Sequence, residues 1–367
     1  MADSCDHQYM AHALRLAARG LYTTDPNPRV GCVLVRHGEI VGEGWHERAG
    51  QPHAEIHALG MAGERARGAT AYITLEPCCH HGRTPPCTDA LLAAGVARVV
   101  AAMEDPNPQV GGQGLAQLRA AGVAVECGVL EAQARALNPG FISRMARGRP
   151  WVRVKLAMSL DGRTALGNGD SRWITSEEAR TDVQRLRARA GAILTGVNTV
   201  LVDDPALNVR LPGVQRQPLR VILDSRLRTP PAARTLRLPG QVLILTAEAD
   251  ERRWQPLLAA GAQVARVDAA DGGLDLAQVL TLLARREVNE LHVECGSILA
   301  GALLSAGLLD ELVVYLAPLL LGHAGRGLFH LPAIERMEQR RLLVIDGLRP
   351  VGRDWRITAR PQVVETP

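Results

Sequence analysis

The apolar residues in the first part of the chain switch between helical and strand spacing. Met10, Ala13 and Ala17 recur on one helical face, whereas 30–35 and 40–45 are short apolar runs separated by a Gly-containing turn, as in a β-hairpin. The same criteria predict further strands at 71–75, 97–102 and 123–127, and helices at 7–19, 53–62, 88–94 and 114–121. This alternation favours an α/β sheet covered by helices.

A similar alternation continues after a basic segment at 144–150, whose Gly and Pro mark it as the predicted domain junction. Apolar residues alternate along 152–158, which predicts a strand with Lys155 on the opposite face. Thr175 and Glu178 are spaced as a capping box that opens a helix reaching about residue 189. Further strands are predicted at 192–195, 219–223, 242–245 and 290–293, and helices at 274–285 and 298–306. The 367 residues therefore suit two α/β domains, between which we see no internal repeat.

Composition and charge exclude several classes of protein. Hydrophobic residues make up 47% and charged residues 22%, and the 36 Gly and 22 Pro follow no period, which excludes collagen-like chains and argues against disorder. The apolar runs are shorter than the ~20 residues of a membrane span, and the N-terminus lacks a secretory signal, so we expect a cytoplasmic protein without a membrane partner. A dispersed net charge of +4 and only 3% aromatic residues argue against a nucleic-acid partner.

A set of zinc-ligand residues is the most specific chemical signal in the chain. His53 and Glu55 stand at the start of a predicted helix, and Cys78 and Cys87 lie on and after the following loop. One imidazole and two thiolates supply three ligands for tetrahedral Zn²⁺ and leave a fourth position for water, as in catalytic sites. Glu55 is then placed to move the water proton to a leaving amine. The His-x-Glu and Pro-Cys pattern is that of zinc nucleobase deaminases.

The residues themselves leave other interpretations open. The three ligands could be ordinary core residues, although the glutamate and the Pro-Cys pair fall in the required places together. A closed structural zinc site with Cys79, His80 or His81 as fourth ligand also fits. Spacing does not decide between Cys78 and Cys79, because either of two adjacent loop cysteines can turn inward.

Three segments carry a resemblance to a known family. The long loop PCCHHGRTPPC at 77–87, with NPRVG at 27–31 and GQPHAE at 50–55, resembles the deaminase of riboflavin biosynthesis more than cytidine, deoxycytidylate or tRNA-adenosine deaminases. The resemblance implies a cytidine-deaminase-like three-layer domain over residues 1–146, with Cys78 as the ligand. It also places Asn27 and His46 beside the substrate. By the same likeness the loop residues His80, His81 and Arg83 are available to the substrate.

The second part of the chain resembles the reductase of the same pathway. Four segments carry the likeness: LAMSLDGRTA at 156–165, SRWIT at 171–175, GVNTVLVDDP at 196–205 and VECGSILAGA at 293–302. It implies a dihydrofolate-reductase-like mixed sheet over residues 150–367 that binds NADPH. A classical Rossmann domain is not indicated, because no strand is followed by Gly-x-Gly-x-x-Gly.

The resemblance also implies the ligand contacts of this second domain. NADPH would contact Ala157, Trp173, Thr199, Asp203, Gly296, Ser297, Ile298, Leu299, Ala300, Gly301 and Ala302. The phosphorylated substrate would contact Ser171, Arg187, Leu207, Arg210 and Glu294.

Elementary chemistry supports parts of this assignment. A helix predicted to start at Ser297 directly after Gly296 offers free N–H groups to a phosphate, and the turn at 196–199 is a second candidate of this kind. A guanidinium matches phosphate oxygens in a bidentate way, so Arg187 and Arg210 are candidates for the substrate phosphate. The alternative for Arg187 is a solvated helix face, because it lies in a short basic run.

Lys155 is the single lysine among 42 basic residues. Lysine and arginine differ in pKa tunability and geometry only where chemistry or tight packing senses the difference, so one position requires an amine or is a chance survivor. We expect Lys155 and Asp203 to move protons while hydride is delivered to C1′ of an opened ribose.

Together these observations predict a zinc- and NADPH-dependent bifunctional enzyme of riboflavin biosynthesis. The resemblance implies deamination of 2,5-diamino-6-(5-phosphoribosylamino)pyrimidin-4(3H)-one, followed by reduction of its ribosyl group to ribityl. We also expect a homo-oligomer, either dimer or tetramer. The alternatives are a nucleotide or tRNA deaminase fused to a dinucleotide-binding domain, and a non-catalytic zinc-stabilised binding module.

Overall fold

The computed structural model describes residues 4–80, 85–108, 110–214, 216–270 and 272–362. The chain forms two compact units, residues 1–149 and 150–367. No helix in these described ranges is long and apolar enough to cross a membrane.

The first unit is a five-stranded sheet between two layers of helices. Its strands are β1 (Gly31–Arg36), β2 (Glu39–Trp45), β3 (Thr70–Ile73), β4 (Arg98–Ala101) and β5 (Ala124–Cys127), in the order β2-β1-β3-β4-β5. Its helices are α1 (Ser4–Ala18), α2 (Ala54–Ala62), α3 (Cys87–Ala93), α4 (Gln113–Ala120), α5 (Glu131–Leu137) and α6 (Pro139–Arg147), with a short 3₁₀ turn at Gly63–Ala66. Strand β1 is antiparallel to β2 and β3, whereas β3, β4 and β5 are parallel.

Two apolar clusters, one on each face of this sheet, explain the three layers. Ala58 of α2, Leu91 of α3 and Leu118 of α4 pack on one face. Met10 of α1 and Phe141 of α6 pack on the other. Because successive strand residues point to opposite faces, the short apolar strands supply both clusters at once.

The second unit contains a nine-stranded mixed sheet and two ribbons of two strands each. Its strands are β6 (Trp151–Ser159), β7 (Arg163–Ala165), β8 (Ala192–Gly196), β9 (Leu219–Leu223), β10 (Val242–Thr246), β11 (Gln263–Arg266), β12 (Ala269–Ala270), β13 (Gly273–Leu274), β14 (Glu290–Glu294), β15 (Glu311–Ala317), β16 (Arg326–Gly327), β17 (Leu343–Val351) and β18 (Asp354–Pro361). The order in the large sheet is β11-β10-β9-β8-β14-β6-β15-β18-β17, and β12/β13 and β7/β16 form two small ribbons. All neighbours in the large sheet are parallel except the β15/β18 and β18/β17 pairs.

Helices cover this sheet as the sequence pattern predicts. They are α7 (Glu177–Arg189), α8 (Val197–Asp203), α9 (Arg234–Arg237), α10 (Gln255–Ala259), α11 (Leu276–Arg285) and α12 (Ser297–Ser305), with 3₁₀ turns at Glu251–Trp254 and Met337–Gln339. Leu283 of α11 and Leu303 of α12 pack with Val154 and Val293 in the largest apolar cluster. The predicted α/β class, with a deaminase-like three-layer unit and a mixed-sheet reductase unit, is confirmed.

One local prediction is wrong. The N-cap of α7 is Ser176, whose hydroxyl accepts a hydrogen bond from the N–H of Ala179 at 3.3 Å, so Thr175 and Glu178 do not form the expected capping box.

The segment 144–150, predicted as the domain junction, contains the boundary between the two units, which lies between residues 149 and 150. Its first residues complete α6, which ends at Arg147. Basic residues in the last turn of a helix are favoured by the helix dipole, and this accounts for the basic composition of that part.

Candidate active sites

The sheet order of the first unit brings the predicted zinc ligands to one edge. Strand β3 ends just before the loop that carries Cys78, and the antiparallel β1 begins at that same edge. His53 is the N-cap residue of α2, and Cys87 is the first residue of α3. Two helix N-termini and the end of one strand thus lie together at this edge. The spacing of these residues along the chain does not show that they meet.

The three ligand atoms lie close enough to share one metal ion. His53 Nδ1 is 3.3 Å from Cys87 Sγ and 3.6 Å from Cys78 Sγ, and the three atoms all lie within 4.8 Å of one another. Tetrahedral Zn²⁺ at about 2.3 Å from sulfur and about 2.0–2.1 Å from nitrogen requires N···S separations of about 3.6 Å. The residues therefore fit Zn²⁺, with Nδ1 as the imidazole donor.

Hydrogen bonding prepares one thiol of this cluster for metal binding. The hydrogen bond between the two thiols lowers the pKa of Cys78 and raises the pKa of Cys87. The backbone N–H of Cys87 donates to Cys78 Sγ at 3.4 Å. The hydrogen bond with Cys78 also raises the pKa of His53. A lowered pKa favours the thiolate form of Cys78, which is the form that binds a cation.

The geometry separates Cys78 from its neighbours in the loop. Among the residues that the structure describes, the metal-ligating cluster contains His53, Cys78 and Cys87, and neither Cys79 nor His80 belongs to it. Burial raises the pKa of the Cys79 thiol, which makes it a poorer ligand. His81 and Arg83, both expected near the substrate, lie outside the described residues.

Glu55 lies in the first turn of α2 and is only 3% exposed. Its Oε2 is buried and has no hydrogen-bond partner among the described residues. Burial raises the pKa of this carboxyl group. An unpartnered buried carboxylate oxygen two residues from His53 fits a group that exchanges a proton beside a metal.

Asn27 and His46 lie next to the same cluster. The rings of His46 and His53 are in edge contact, with centroids 5.4 Å apart. His46 Nδ1 is 3.1 Å from the carbonyl oxygen of Pro52, which can only accept, so Nδ1 carries the proton. Burial lowers the pKa of His46, and its neutral Nε2 accepts from the Asn27 amide at 3.0 Å. The Asn27 carbonyl oxygen is therefore the end of that side chain turned away from His46.

Two further acidic residues of this region were missed by the sequence reasoning. Burial raises the pKa of Asp105 to about 6, and its electrostatic neighbours include Glu76, His80 and Cys78. Glu76 is buried directly before the Pro-Cys pair. For Asp105 a sequence signal existed, because the tetrapeptide DPNP occurs at 25–28, which includes Asn27, and again at 105–108. Both segments lie at the same edge of the sheet, before β1 and after β4.

In the second unit, Lys155 and Glu294 are direct neighbours on the adjacent parallel strands β6 and β14. Arg187 of α7 binds the Glu294 carboxylate through Nε at 2.5 Å and Nη2 at 2.9 Å. Burial lowers the pKa of Lys155. Burial would raise the pKa of Glu294, but Arg187 lowers it well below its usual range. The alternative of a solvated helix face for Arg187 is wrong, since this side chain is buried.

Leu207 and Arg210, expected at the phosphorylated substrate, are connected to this group through Asn208. Leu207 is buried with a positive φ of 47°, and the exposed Arg210 follows it closely in the chain. Arg210 Nη1 donates to Asn208 Oδ1 at 2.7 Å, and Arg187 Nη1 donates to the Asn208 carbonyl at 2.9 Å. Ser171 is half-buried on the loop that precedes α7.

The residues expected at NADPH surround two strand–glycine–helix turns that lie side by side. Strands β8 and β14 are parallel neighbours, and they lead into α8 and α12 through the N-cap residues Gly196 and Gly296. Thr199 lies on α8, and Ser297, Ile298, Leu299, Ala300, Gly301 and Ala302 lie on α12. Ala157 is on β6, which adjoins β14. The topology thus groups these residues at the carboxyl edge of the sheet.

Five of these residues are exposed, namely Trp173, Asp203, Gly296, Ile298 and Ala302, and Gly301 is fixed by packing. Trp173 is 68% exposed, and the Arg180 guanidinium lies over its ring at 4.6 Å. Asp203 at the end of α8 pairs with Arg172 at 3.2 Å. Ile298 is exposed on α12. Gly301 is packed so closely against the backbone of His330 that a Cβ there would lie 1.9 Å from the His330 carbonyl oxygen. Packing therefore requires glycine at this position.

Comparison with known proteins gives the same two-part division. Residues 150–353 match the RibD C-terminal domain, and residues 3–103 match the cytidine and deoxycytidylate deaminase zinc-binding region. A riboflavin biosynthesis protein RibD from Escherichia coli is 52% identical over 361 residues, which cover 95% of this chain and 97% of that protein. This chain belongs to the RibD family.

Solved RibD structures extend the likeness to the fold. Acinetobacter baumannii RibD superposes with a TM-score of 0.90 at 44% identity, covering 98% of this chain and 99% of that one. A deaminase/reductase from Thermotoga maritima superposes with a TM-score of 0.86 at 32% identity, with the same coverage. As a RibD-family member the chain is a bifunctional riboflavin biosynthesis enzyme, a deaminase with a zinc-binding domain and a reductase of the NADPH-binding type.

Proposed function

We propose that residues 1–146 hydrolytically deaminate 2,5-diamino-6-(5-phosphoribosylamino)pyrimidin-4(3H)-one and that residues 150–367 reduce the ribosyl group of the resulting uracil with NADPH. The observation that carries the proposal is the cluster of His53, Cys78 and Cys87 beside the unpartnered Oε2 of Glu55. The Thermotoga maritima structure is named as a diaminohydroxyphosphoribosylaminopyrimidine deaminase and 5-amino-6-(5-phosphoribosylamino)uracil reductase. Its likeness over nearly the whole chain supports the same pair of reactions here.

In the deaminase step, His53 Nδ1, Cys78 Sγ and Cys87 Sγ would hold Zn²⁺ and leave one position open. Zn²⁺ bound there would lower the pKa of water enough to supply a nucleophile at neutral pH. Glu55 would take a proton from the water whose oxygen bonds to C2 and pass it to a ring nitrogen. It would then move the remaining hydroxyl proton to the 2-amino group, so that the C2–N bond to that group breaks, ammonia leaves and C2 becomes a carbonyl. The raised pKa of Glu55 suits a group that both accepts and returns a proton.

Asn27 and His46 would orient the pyrimidine. The neutral His46 holds the Asn27 amide through Nε2, and this turns the Asn27 carbonyl oxygen toward a ring N–H or amino group of the base. Because His46 fixes the Asn27 amide, this side chain loses little entropy when substrate binds. Its carbonyl oxygen would accept only from an N–H at the matching position on the base, and it would therefore select substrates by where their donors lie. His80 and Asp105, which are electrostatic neighbours, complete the region to which the phosphoribosyl group of the substrate would extend.

In the reductase step, NADPH would supply a hydride to C1′ of the opened ribosyl group. Ala157, Trp173, Thr199, Asp203 and residues 296–302 would hold the cofactor, and Ser171, Arg187, Leu207, Arg210 and Glu294 the substrate. Lys155 and Asp203 are the proposed proton-transfer groups. Lys155 lies beside Glu294 with a pKa lowered by burial, which makes its ammonium a better acid than an exposed lysine.

Two other observations support the proposed assembly and compartment. Strand β17 is the outer strand of the large sheet, and its Val344, Ile345 and Leu348 are exposed. Exposed apolar edge strands favour pairing, which supports a homo-oligomer, a dimer or a tetramer. All seven cysteines are free thiols, which supports a reducing compartment such as the cytoplasm.

The decisive experiment incubates the purified zinc-loaded protein with the diaminopyrimidine, with and without NADPH, and follows ammonia and product mass. Ammonia release without NADPH, and a further two-hydrogen mass gain with it, are the expected results. Cytidine, deoxycytidylate and a tRNA adenosine stem-loop serve as competing substrates. Ammonia from one of these and none from the diaminopyrimidine would favour a nucleotide or tRNA deaminase. No reaction with any of them would indicate a binding module.

A further inference from the structure

Glu76 occupies an unusual place for an acidic residue. It lies between the end of β3 and the Pro-Cys pair that carries Cys78, and it is only 3% exposed. Its backbone N–H donates to the carbonyl of Met103, just beyond β4, at 2.9 Å. The side chain carries a charge in water, so its burial requires compensating hydrogen bonds.

Four backbone N–H groups supply that compensation. Glu76 Oε1 accepts from Gly114 at 2.8 Å and from Leu115 at 3.2 Å, both in the first turn of α4. Glu76 Oε2 accepts from Gly112 at 2.9 Å and from Asp105 at 3.0 Å. A helix start has N–H groups without partners inside the helix, and this carboxylate satisfies them from another part of the chain.

The packing between these two segments is also tight. A Cβ at Gly114 would lie 2.2 Å from the Pro77 carbonyl oxygen, so only glycine permits the approach. Cys78 itself is also fixed, because the N–H of Thr88 in α3 donates to its carbonyl at 3.2 Å. Both α3 and the Glu76–α4 contact therefore hold the segment that carries Cys78.

We propose that Glu76 is a positioning residue of the metal centre, which fixes the Cys78 end of the loop where its sulfur meets His53 Nδ1 and Cys87 Sγ. The inference rests on the proposed zinc role of these three residues. A loop anchored in advance does not have to be ordered when the ion binds, so metal affinity rises. The anchor requires a carboxylate, because an amide nitrogen cannot accept the N–H groups that face one of the two oxygens.

The test compares Glu76→Gln with Glu131→Gln, a control that makes the same chemical change at a glutamate of the same unit whose side chain is 44% exposed. Zinc affinity is measured by competition with a chromogenic chelator. We expect Glu76→Gln to bind zinc about 10–100-fold more weakly, as for other residues that orient ligands, and Glu131→Gln to match the unsubstituted protein. NADPH-dependent reduction of the deaminated substrate, carried by the second unit, should be unchanged in both.

Two readouts separate positioning from a general loss of stability. A merely structural role would lower the thermal midpoint of the apo and zinc-loaded proteins equally, whereas positioning reduces the increase in midpoint that zinc produces. The absorption of Co²⁺ bound in place of zinc reports the thiolate geometry, and it should change in Glu76→Gln alone. If Glu76→Gln does not fold, Glu76→Asp, which keeps the carboxylate but shortens its reach, should fold and bind zinc with intermediate affinity.

Equal zinc affinity and an equal zinc-induced midpoint shift in the variant tested and the control would overturn the positioning role. These results are distinct from failure of the proposed function. If the unsubstituted protein itself binds no zinc, the proposed zinc role of His53, Cys78 and Cys87 is wrong. If it binds zinc and the Glu76 variants bind equally well, only the role of Glu76 is wrong.

Discussion

Arg187 and Glu294 form a partly buried bidentate ion pair, with Nε–Oε1 and Nη2–Oε2 distances of 2.5 Å and 2.9 Å. The remaining Arg187 nitrogen, Nη1, donates to the Asn208 carbonyl. All three nitrogens of this guanidinium are therefore engaged by the protein. Arg210 shares Asn208 with it and is exposed, so of the two arginines expected at the substrate phosphate, Arg210 has the more accessible charge.

We expect Arg210→Ala to raise the reductase KM for the phosphorylated substrate by about 10–100-fold, the value of one or two charge-assisted hydrogen bonds. The thermal midpoint should not change. Arg187→Ala should instead destabilise the second unit by about 3 kcal/mol, because it removes both hydrogen bonds that the Glu294 carboxylate accepts from the guanidinium. Steady-state kinetics and thermal unfolding of both variants distinguish the roles. If both variants raise KM equally and both keep the thermal midpoint of the unsubstituted protein, both arginines bind the phosphate.

Glu55→Gln should retain zinc and lose deamination. The substitution keeps the shape of the side chain but removes its ability to accept a proton, and general acid–base groups contribute about 10²–10⁴-fold to rate. Ammonia release and zinc content are measured on the same sample. A variant that keeps both its zinc and most of its rate would show that another group moves the proton.

The adjacent cysteines offer a matched pair for the metal site. Cys78→Ser should lose stoichiometric zinc and deaminase activity, because Cys78 Sγ is one of the three clustered donors. Cys79→Ser should keep both, since Cys79 lies outside that cluster. Zinc content by elemental analysis and ammonia release are the readouts. Zinc loss in Cys79→Ser with retention in Cys78→Ser would reverse the assignment.

Lys155→Met should abolish most of the reductase rate while deamination continues. Burial lowers the pKa of Lys155, so between that lowered pKa and the unfolded value of about 10.4 the unfolded chain binds more protons than the folded one. Stability of the unsubstituted protein therefore rises with pH in this window, and the methionine variant should lack that rise. Chemical denaturation at several alkaline pH values measures it. A full reductase rate in Lys155→Met would refute the proton-transfer role.

Asp182 should give a pH dependence of the same sign, but in the acidic range. Burial alone would raise its pKa, but hydrogen bonds from Tyr315 at 2.6 Å and Arg349 at 2.8 Å lower it. A depressed carboxyl pKa stabilises the fold above the unfolded value of about 3.9, and this stabilisation is lost as pH falls through the folded pKa. Asp182→Asn should cost about 3 kcal/mol at neutral pH, with the difference from the unsubstituted protein shrinking in acid. A pH-independent difference in the free energy of unfolding would contradict this.

The sequence by itself determined the elements and the chemical identity of the sites. Strand and helix positions follow from local periodicity, which is a property of neighbouring residues, and the predicted strands at 192–195 and 219–223 match β8 and β9 closely. His53, Glu55 and Cys87 could be recognised because few chemistries use one imidazole, two thiolates and a carboxylate at such positions. The α7 start was misplaced by one residue because two adjacent hydroxyl residues satisfy the same local pattern.

Only the tertiary structure decided which side chains meet. The choice of Cys78 over Cys79 depends on which sulfur the loop turns toward His53, and no periodicity encodes the turn of a loop. Arg187 was expected either at a phosphate or in solvent, but β14 and α7 bring it against Glu294. Glu76 gave no recognisable signal, because its four hydrogen bonds are made to backbone groups, whose partners are set by the path of the chain and not by residue type.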